Sequence, residues 1–158
     1  MVITEVLECN AAERKDEVAL VEINPDVKEK RRITWREYGL VESDSASVPF
    51  RREITWQVFD EKANRCANLL LARGIKKGDK VGILLMNCLE WLPLYFGILK
   101  TGALAVPLNY RYDASEIKYC VELADVDALF FGPEFIGRVE EICDEMKRVK
   151  LLFFVGDN

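Results

Sequence analysis

Residues 80–108 read KVGILLMNCLEWLPLYFGILKTGALAVPL, and the succession of patterns inside them decides the architecture. KVGILLM (80–86) is apolar almost without interruption, as a strand buried on both faces of a parallel sheet is. The next segment, LEWLPLYFGILKTG, places Trp91, Leu94, Tyr95, Ile98 and Leu99 at helical spacing. Pro93 fits the first turn of that helix, where a missing N–H costs little. Asn87-Cys88 is predicted to open it and Gly102 to close it. ALAVPL (103–108) is a second strand. A strand, a helix and a strand in immediate succession form the crossover unit of a parallel sheet.

The same alternation continues on both sides. Upstream, TWQVFDEKANRCANLLLARG puts Phe59, Ala63, Cys66, Ala67 and Leu70 on one helical face, with Thr55 as cap. Gly74 fits the left-handed position after that helix, with Ile75 folding back as its hydrophobic partner. KKGD (76–79) then turns the chain. Downstream, Asp113-Ala-Ser-Glu116 has the spacing of a capping box and opens a helix through Ile117, Cys120, Val121 and Ala124. DALFF (127–131) is a third strand. Gly132-Pro133 starts a helix whose inward stripe is Phe135 or Ile136, then Val139, Ile142, Cys143 and Met146. KLLFFV (150–155) is a fourth strand. The fold class is therefore α/β, a parallel sheet flanked by helices on both faces with right-handed crossovers.

The first 53 residues read differently, and the chain is divided into an N-terminal strand and loop segment (1–53) and an α/β subdomain (54–158). EVALVEIN (17–24) is a candidate strand ended by an Asn-Pro-Asp turn. RRITWREY (31–38) and RREITWQVF (51–59) share Ile-Thr-Trp. Two copies do not make a solenoid. The second is read as a helix start and the first as a strand or a chance match, with GLVESDSASVPF as a loop between them.

Composition narrows the function classes. Of 158 residues, half are hydrophobic and 31% are charged, ordinary proportions for a globular domain. A net charge of −5 argues against a nucleic-acid partner, which needs a surplus of cations on one face. KEKRR (28–32) does not alter that, being flanked by acids and read as a solvated turn. There is no histidine, which removes Ser-His-Asp and Cys-His catalysis and most zinc sites. Five cysteines without a CxxC suit a reducing compartment; those in apolar patterns are read as small core residues. No signal peptide or transmembrane segment is read, so a cytoplasmic location is expected.

Ligands of an open parallel sheet gather beyond the carboxyl ends of its strands. Asn87 follows the first strand, and Asn109 and Arg111 follow the second. These three are the candidate cleft-lining residues, although a helix cap for Asn87 and a surface ion pair for Arg111 are the more ordinary reading of the same residues. Glu140-Glu141 is read as the solvated side of a helix. Neither GxGxxG nor GxxxxGK[ST] occurs. No nucleophile with its base and no metal-ligand set is present, so the residues by themselves do not specify a reaction.

The run from Ile54 to Phe131 nonetheless resembles the N-terminal part of the AMP-forming acyl-CoA synthetases, within the adenylate-forming superfamily. The resemblance is carried by the helix with Asn64-Arg65 and Ala67-Asn68, by GIKKGDKVGILLMN (74–87), and by FGILKTGALAVPLNYR (96–111). It implies the first of two similar α/β subdomains of a large N-terminal domain. It implies a reaction joining a carboxylate to AMP from MgATP, with release of pyrophosphate, and passing the acyl group to coenzyme A. The family's Ser/Thr/Gly-rich phosphate loop ending in Pro-Lys is expected shortly after a strand like LLFFV, where this sequence stops. The expectation is thus an N-terminal piece of a longer enzyme, inactive alone, with no catalytic residue of its own and no cofactor bound to it. The expected partners are the remainder of the polypeptide and a small-molecule carboxylate, with homodimerisation through an exposed apolar face. VPLNYR resembles the CoA ligases more than peptide-synthetase adenylation domains, which tend to be acidic where Asn109 stands. A fatty acyl-AMP ligase or a peptide-synthetase-type adenylation domain remains an alternative, as does a non-catalytic binding or scaffold module of the same fold.

Overall fold

The computed structural model describes residues 2–23 and 51–156. The first Ile-Thr-Trp copy, the basic cluster and the Ser-rich loop lie outside the described residues. In chain order the elements are α1 (Ile3–Glu13), β1 (Val18–Ile23), β2 (Arg51–Thr55), α2 (Trp56–Ala72), β3 (Lys80–Leu84), α3 (Trp91–Lys100), β4 (Leu104–Pro107), α4 (Ala114–Leu123), β5 (Ala128–Phe131), a 3₁₀ turn (Pro133–Phe135), α5 (Ile136–Ile142) and β6 (Leu151–Phe154).

The parallel sheet is ordered β4-β3-β5-β6, with every neighbouring pair parallel. Alternation of side chains along each strand feeds two cores. Val81, Ile83, Ala128 and Phe130 pack with Cys66 and Leu70 of α2 and Ile98 of α3. Leu84 and Leu129 pack on the opposite face with Ile117 and Val121 of α4, Phe135, and Val139 of α5. The pleat puts Gly82 on that second face, where a Cβ would stand 2.8 Å from Leu129 Cδ1. The chain crosses from β3 to β4 over one face and from β4 to β5 over the other. Direction along the sheet and face covered change together, as crossovers of one hand require.

The expected helix signals act as read. Thr55 Oγ1 accepts from the Val58 N–H at 3.3 Å, and all five stripe residues of α2 are buried. Asp113 and Glu116 form the reciprocal capping box, with Glu116 N–H to Asp113 Oδ1 at 2.8 Å and Asp113 N–H to Glu116 Oε2 at 2.9 Å. The Glu116 N–H bond to the ionised Asp113 carboxylate, with one from the Ser115 hydroxyl, holds Asp113 below the usual carboxylate range. Gly74 has φ +87, and the N–H groups of Gly74 and Ile75 bond back to Leu71 and Leu70 carbonyls, both at 3.0 Å, closing α2 in a Schellman motif. The helix α4 ends by the same device with Asp125 in the left-handed position at φ 55.

Three readings are corrected. The helix α3 begins at Trp91 with Glu90 preceding it, so Asn87 does not open it; Cys88–Glu90 form a turn whose Cys88 carbonyl takes the Trp91 N–H. The second Ile-Thr-Trp copy is split, since Ile54-Thr55 end β2 and only Trp56 is helical. In the stripe of α5, Phe135 is the buried alternative, while Ile136 and Cys143 are exposed. Ile136 opens the helix and Cys143 follows its last residue, and the buried face within it is carried by Val139 and Ile142.

Ahead of the parallel sheet, β1 and β2 form an antiparallel ribbon; the residue 53/54 division falls inside β2. Residues Leu7, Ile54, Phe59, Ala63 and Leu89 form a third core that joins α1 and the ribbon to α2. An ion-pair cluster ties the same helices. Lys100 Nζ lies 2.7 Å from Glu8 Oε1 and 2.8 Å from Asp60 Oδ1, with the Lys100 side chain only 10% exposed. Burial by itself lowers this ammonium's pKa, but the hydrogen bonds to Asp60 and Glu8 outweigh it and hold the pKa above its ordinary value. The stabilisation is therefore complete below the unfolded-state lysine pKa and is lost as pH rises through the raised folded value. Lys100→Met is expected to lower stability at neutral pH by about 1–2 kcal/mol, leaving Asp60 without its cation. Urea titration at pH 7 checks this; a loss that is unchanged above the folded lysine pKa contradicts the assignment.

Candidate functional site

The strand order fixes where a cleft can form. The connection leaving β3 runs toward α3 on one face, whereas the connection leaving β5 runs toward α5 on the other. Adjacent strands whose exits diverge leave a crevice at their carboxyl ends. The structure has such a cleft there, of about 300 Å³ and lined by Leu85, Met86 and Cys88 after β3, by Gly132, Pro133 and Glu134 after β5, and by Val155 and Gly156 after β6. Arg52 and Glu90 close one side.

Local forces set each wall. The Gly132 N–H bonds to the Leu84 carbonyl at 3.1 Å, drawing the β5 exit against β3. A Cβ on Gly132 would stand 2.8 Å from Glu134 Oε2 and 3.1 Å from Leu85 Cδ2, so glycine lets these two lining side chains approach the β5 exit. The ribbon docks on the other wall, where Glu22 Oε2 accepts the Leu89 N–H at 2.8 Å. Arg52 then bridges Glu22 at 3.7 Å and Glu90 at 3.1 Å, and Lys62 adds a contact to Glu90 at 3.7 Å. Burial raises the Cys88 thiol above its ordinary pKa range, with the backbone N–H groups of Glu90 and Trp91 pulling the other way. Burial alone pushes Cys66, within the sheet–helix core, up to about 12. Neither is a ready nucleophile. All five cysteines are free thiols.

The sequence-derived candidates fall in two places. Asn87 is exposed between Met86 and Cys88, which line the cleft. Asn109 and Arg111 are exposed on the loop after β4, with β3 between them and β5. Asn109 Oδ1 accepts the Arg111 N–H at 3.0 Å, and the Arg111 guanidinium lies 5.3 Å from the centre of the Tyr110 ring. The structure thus groups Asn109 with Arg111 and sets Asn87 apart at the cleft. Reading by sequence did not find Arg52, Glu90 or Glu134. Arg52 arrives on a ribbon whose docking no local pattern encodes, and the two acids resemble any solvated carboxylate. Among the described residues no group of three or more His, Cys, Asp or Glu side chains is placed to hold a metal ion. Among the described residues no helix is long and apolar enough to cross a membrane.

Comparison with known proteins gives this geometry a family. A family model described as AMP-binding enzyme matches residues 41–155. A medium/long-chain-fatty-acid–CoA/3-oxocholest-4-en-26-oate–CoA ligase of Mycolicibacterium smegmatis is 37% identical over 105 residues, covering 66% of this chain and 19% of the relative. A crotonobetaine/carnitine–CoA ligase of Salmonella paratyphi B is 32% identical over 114 residues, covering 68% of this chain and 22% of the relative. Among solved structures, the N-terminal domain of FACL13 from Mycobacterium tuberculosis superposes with a TM-score of 0.64 at 31% identity, over 66% of this chain and 27% of that one. A putative long-chain-fatty-acid CoA ligase from Rhodopseudomonas palustris shares the fold over 100% of this chain and 33% of its own, with a TM-score of 0.76 at 24% identity. The chain spans about a fifth of the length of the curated relatives it matches. With the match extending over most of the parallel sheet and its helices, the chain belongs to the AMP-binding enzyme family.

Proposed function

We propose that this chain is part of an AMP-forming acyl-CoA ligase and serves as the scaffold for its carboxyl-end loops. In that reaction a carboxylate oxygen attacks the α-phosphorus of ATP, pyrophosphate leaves, and the acyl-adenylate forms. The thiolate of coenzyme A then displaces AMP at the acyl carbon to give the thioester. The observation that carries the reading is the alignment of about two thirds of the chain with CoA ligases at 32–37% identity. The divergent exits of β3 and β5 support it, since they open the sheet where an α/β enzyme meets its substrates. MgATP and coenzyme A are the implied reactants, and Asn87, Asn109 and Arg111 are proposed to face them from the carboxyl ends of β3 and β4. Magnesium would supply charge stabilisation at the transferring phosphoryl group.

This reading also gives a role to the apolar side chains exposed on the two edge strands, Leu104 of β4 and Leu152 and Phe154 of β6. They meet the remainder of the polypeptide, or a second copy when the 158-residue chain is alone. The free thiols fit a cytoplasmic setting. The test is carboxylate-dependent exchange of pyrophosphate into ATP, followed by thioester formation with coenzyme A, across acids of graded chain length. Exchange and thioester are expected from the intact protein carrying this chain, and no exchange from the 158-residue chain alone. Exchange without thioester would instead indicate an acyl-AMP ligase or adenylation domain, and no exchange by the intact protein would point to a scaffold.

A further inference from the structure

The loop joining β4 to α4 follows a strand that lies at the sheet's edge among the described residues, where no further strand supports its outer side. Its own bonds are few: the Tyr112 N–H meets the Asn109 carbonyl at 3.1 Å, and Asn109 Oδ1 takes the Arg111 N–H. Its third support comes from a distant element. Arg138, in the first turn of α5, donates from one Nη1 to the Tyr110 carbonyl at 3.0 Å and to the Tyr112 carbonyl at 2.9 Å. The Arg138 guanidinium also lies 5.5 Å from the centre of the Phe135 ring, and Phe135 is fully buried. The cation is thus directed by a rigid ring toward two neutral carbonyls flanking Arg111. A planar guanidinium held over an aromatic face is a pre-organised donor, which a flexible ammonium is not.

We propose that Arg138 is a positioning residue: by clamping the Tyr110 and Tyr112 carbonyls it holds the Asn109–Tyr112 loop so that Arg111 presents its charge to an anionic group of a substrate. Three features converge on the loop. It lies at the carboxyl end of the sheet, it exposes a cation beside an aromatic ring, and its conformation is fixed by α5. The role in substrate binding rests on the acyl-CoA ligase reading. The clamp on the loop does not.

The test is Arg138→Met in the intact protein carrying this chain, which keeps an apolar stem on Phe135 and removes both donors. Amide hydrogen exchange over residues 109–112 is expected to speed up about fivefold or more, with the amides of α2 and β3 unchanged. KM for at least one of ATP, coenzyme A and the carboxylate is expected to rise about fivefold or more while kcat stays within about twofold, the pattern of lost binding that does not act on chemistry. Should Arg138→Met not fold, Arg138→Lys, with a shorter and non-planar donor, carries the same measurements and is expected to move them in the same direction. Unchanged loop exchange, or KM values that all stay in place, overturns the proposal. A wild-type protein without carboxylate-dependent activity defeats the ligase reading instead, and the exchange measurement still decides the clamp.

Discussion

Replacing Phe135 by alanine is expected to cost the fold about 3–5 kcal/mol, the range for deleting a fully buried aromatic ring. The side chain is 1% exposed and is the largest of those fully buried among the described residues. It stands where the β5 exit turns into α5, against Leu84 and Leu129 of the sheet and Ile117, Val121 and Val139 of the helices. Its removal leaves a cavity bounded by a sheet on one side and two helices on the other, none of which can collapse alone. Phe135→Leu keeps most of the volume and is expected to cost under half as much. Urea denaturation of the three proteins measures the difference, and a loss below about 1.5 kcal/mol for the alanine variant contradicts this packing.

The second large effect is expected on the opposite face. At Gly97 an added Cβ would lie 2.6 Å from Cys66 Cβ, 2.7 Å from Cys66 Sγ and 2.8 Å from the Ala63 carbonyl oxygen. Alanine in a helix interior normally gains about 1 kcal/mol over glycine. Here the three contacts oppose it, and one of them is backbone, so α2 and α3 must separate rather than one side chain rotate. Overpacking of a close-packed interior costs about 1–3 kcal/mol and sometimes more. The net result expected for Gly97→Ala is a loss of about 2 kcal/mol. Adding Cys66→Ala should recover only part of it, because the Cβ and carbonyl contacts remain. Full recovery in that double-mutant cycle would place the whole clash on the Cys66 Sγ and contradict the backbone contact, and stabilisation by Gly97→Ala alone would show that the helices are not in contact there.

How much of this was legible depends on whether the causes are local. The stripe of α2, the Gly74 stop and the Asp113–Glu116 cap were readable because each is a pattern within a few residues whose energetics hold in isolation. The parallel sheet was readable because strands buried on both faces leave unbroken apolar runs. The helix α1 was not read. Its N-cap is Val2, which has no side-chain acceptor, and Leu7 is its one buried residue. It is held by Leu7 and by the Glu8–Lys100 pair, both with partners far along the chain. The strand β2 begins Arg-Arg-Glu, all exposed, and owes its extended form to pairing with β1. At the candidate site, Asn109 and Arg111 were visible as polar residues following a strand. Arg138 was not, because its meaning depends on α5 packing beside a loop 26–28 residues earlier.

The position of β3 carries a kinetic consequence. It is the first strand of the parallel sheet in chain order, yet it pairs on one side with β4 and on the other with β5, which begins 47 residues later, counting from Val81 to its partner Ala128. During synthesis its second edge must stay open, apolar and unpaired until that later strand emerges. Loop closure over such separations makes parallel sheets slow to assemble and exposes sticky intermediates. For a nascent chain of this kind, the dangerous interval is the wait between making Leu84 and making Phe131.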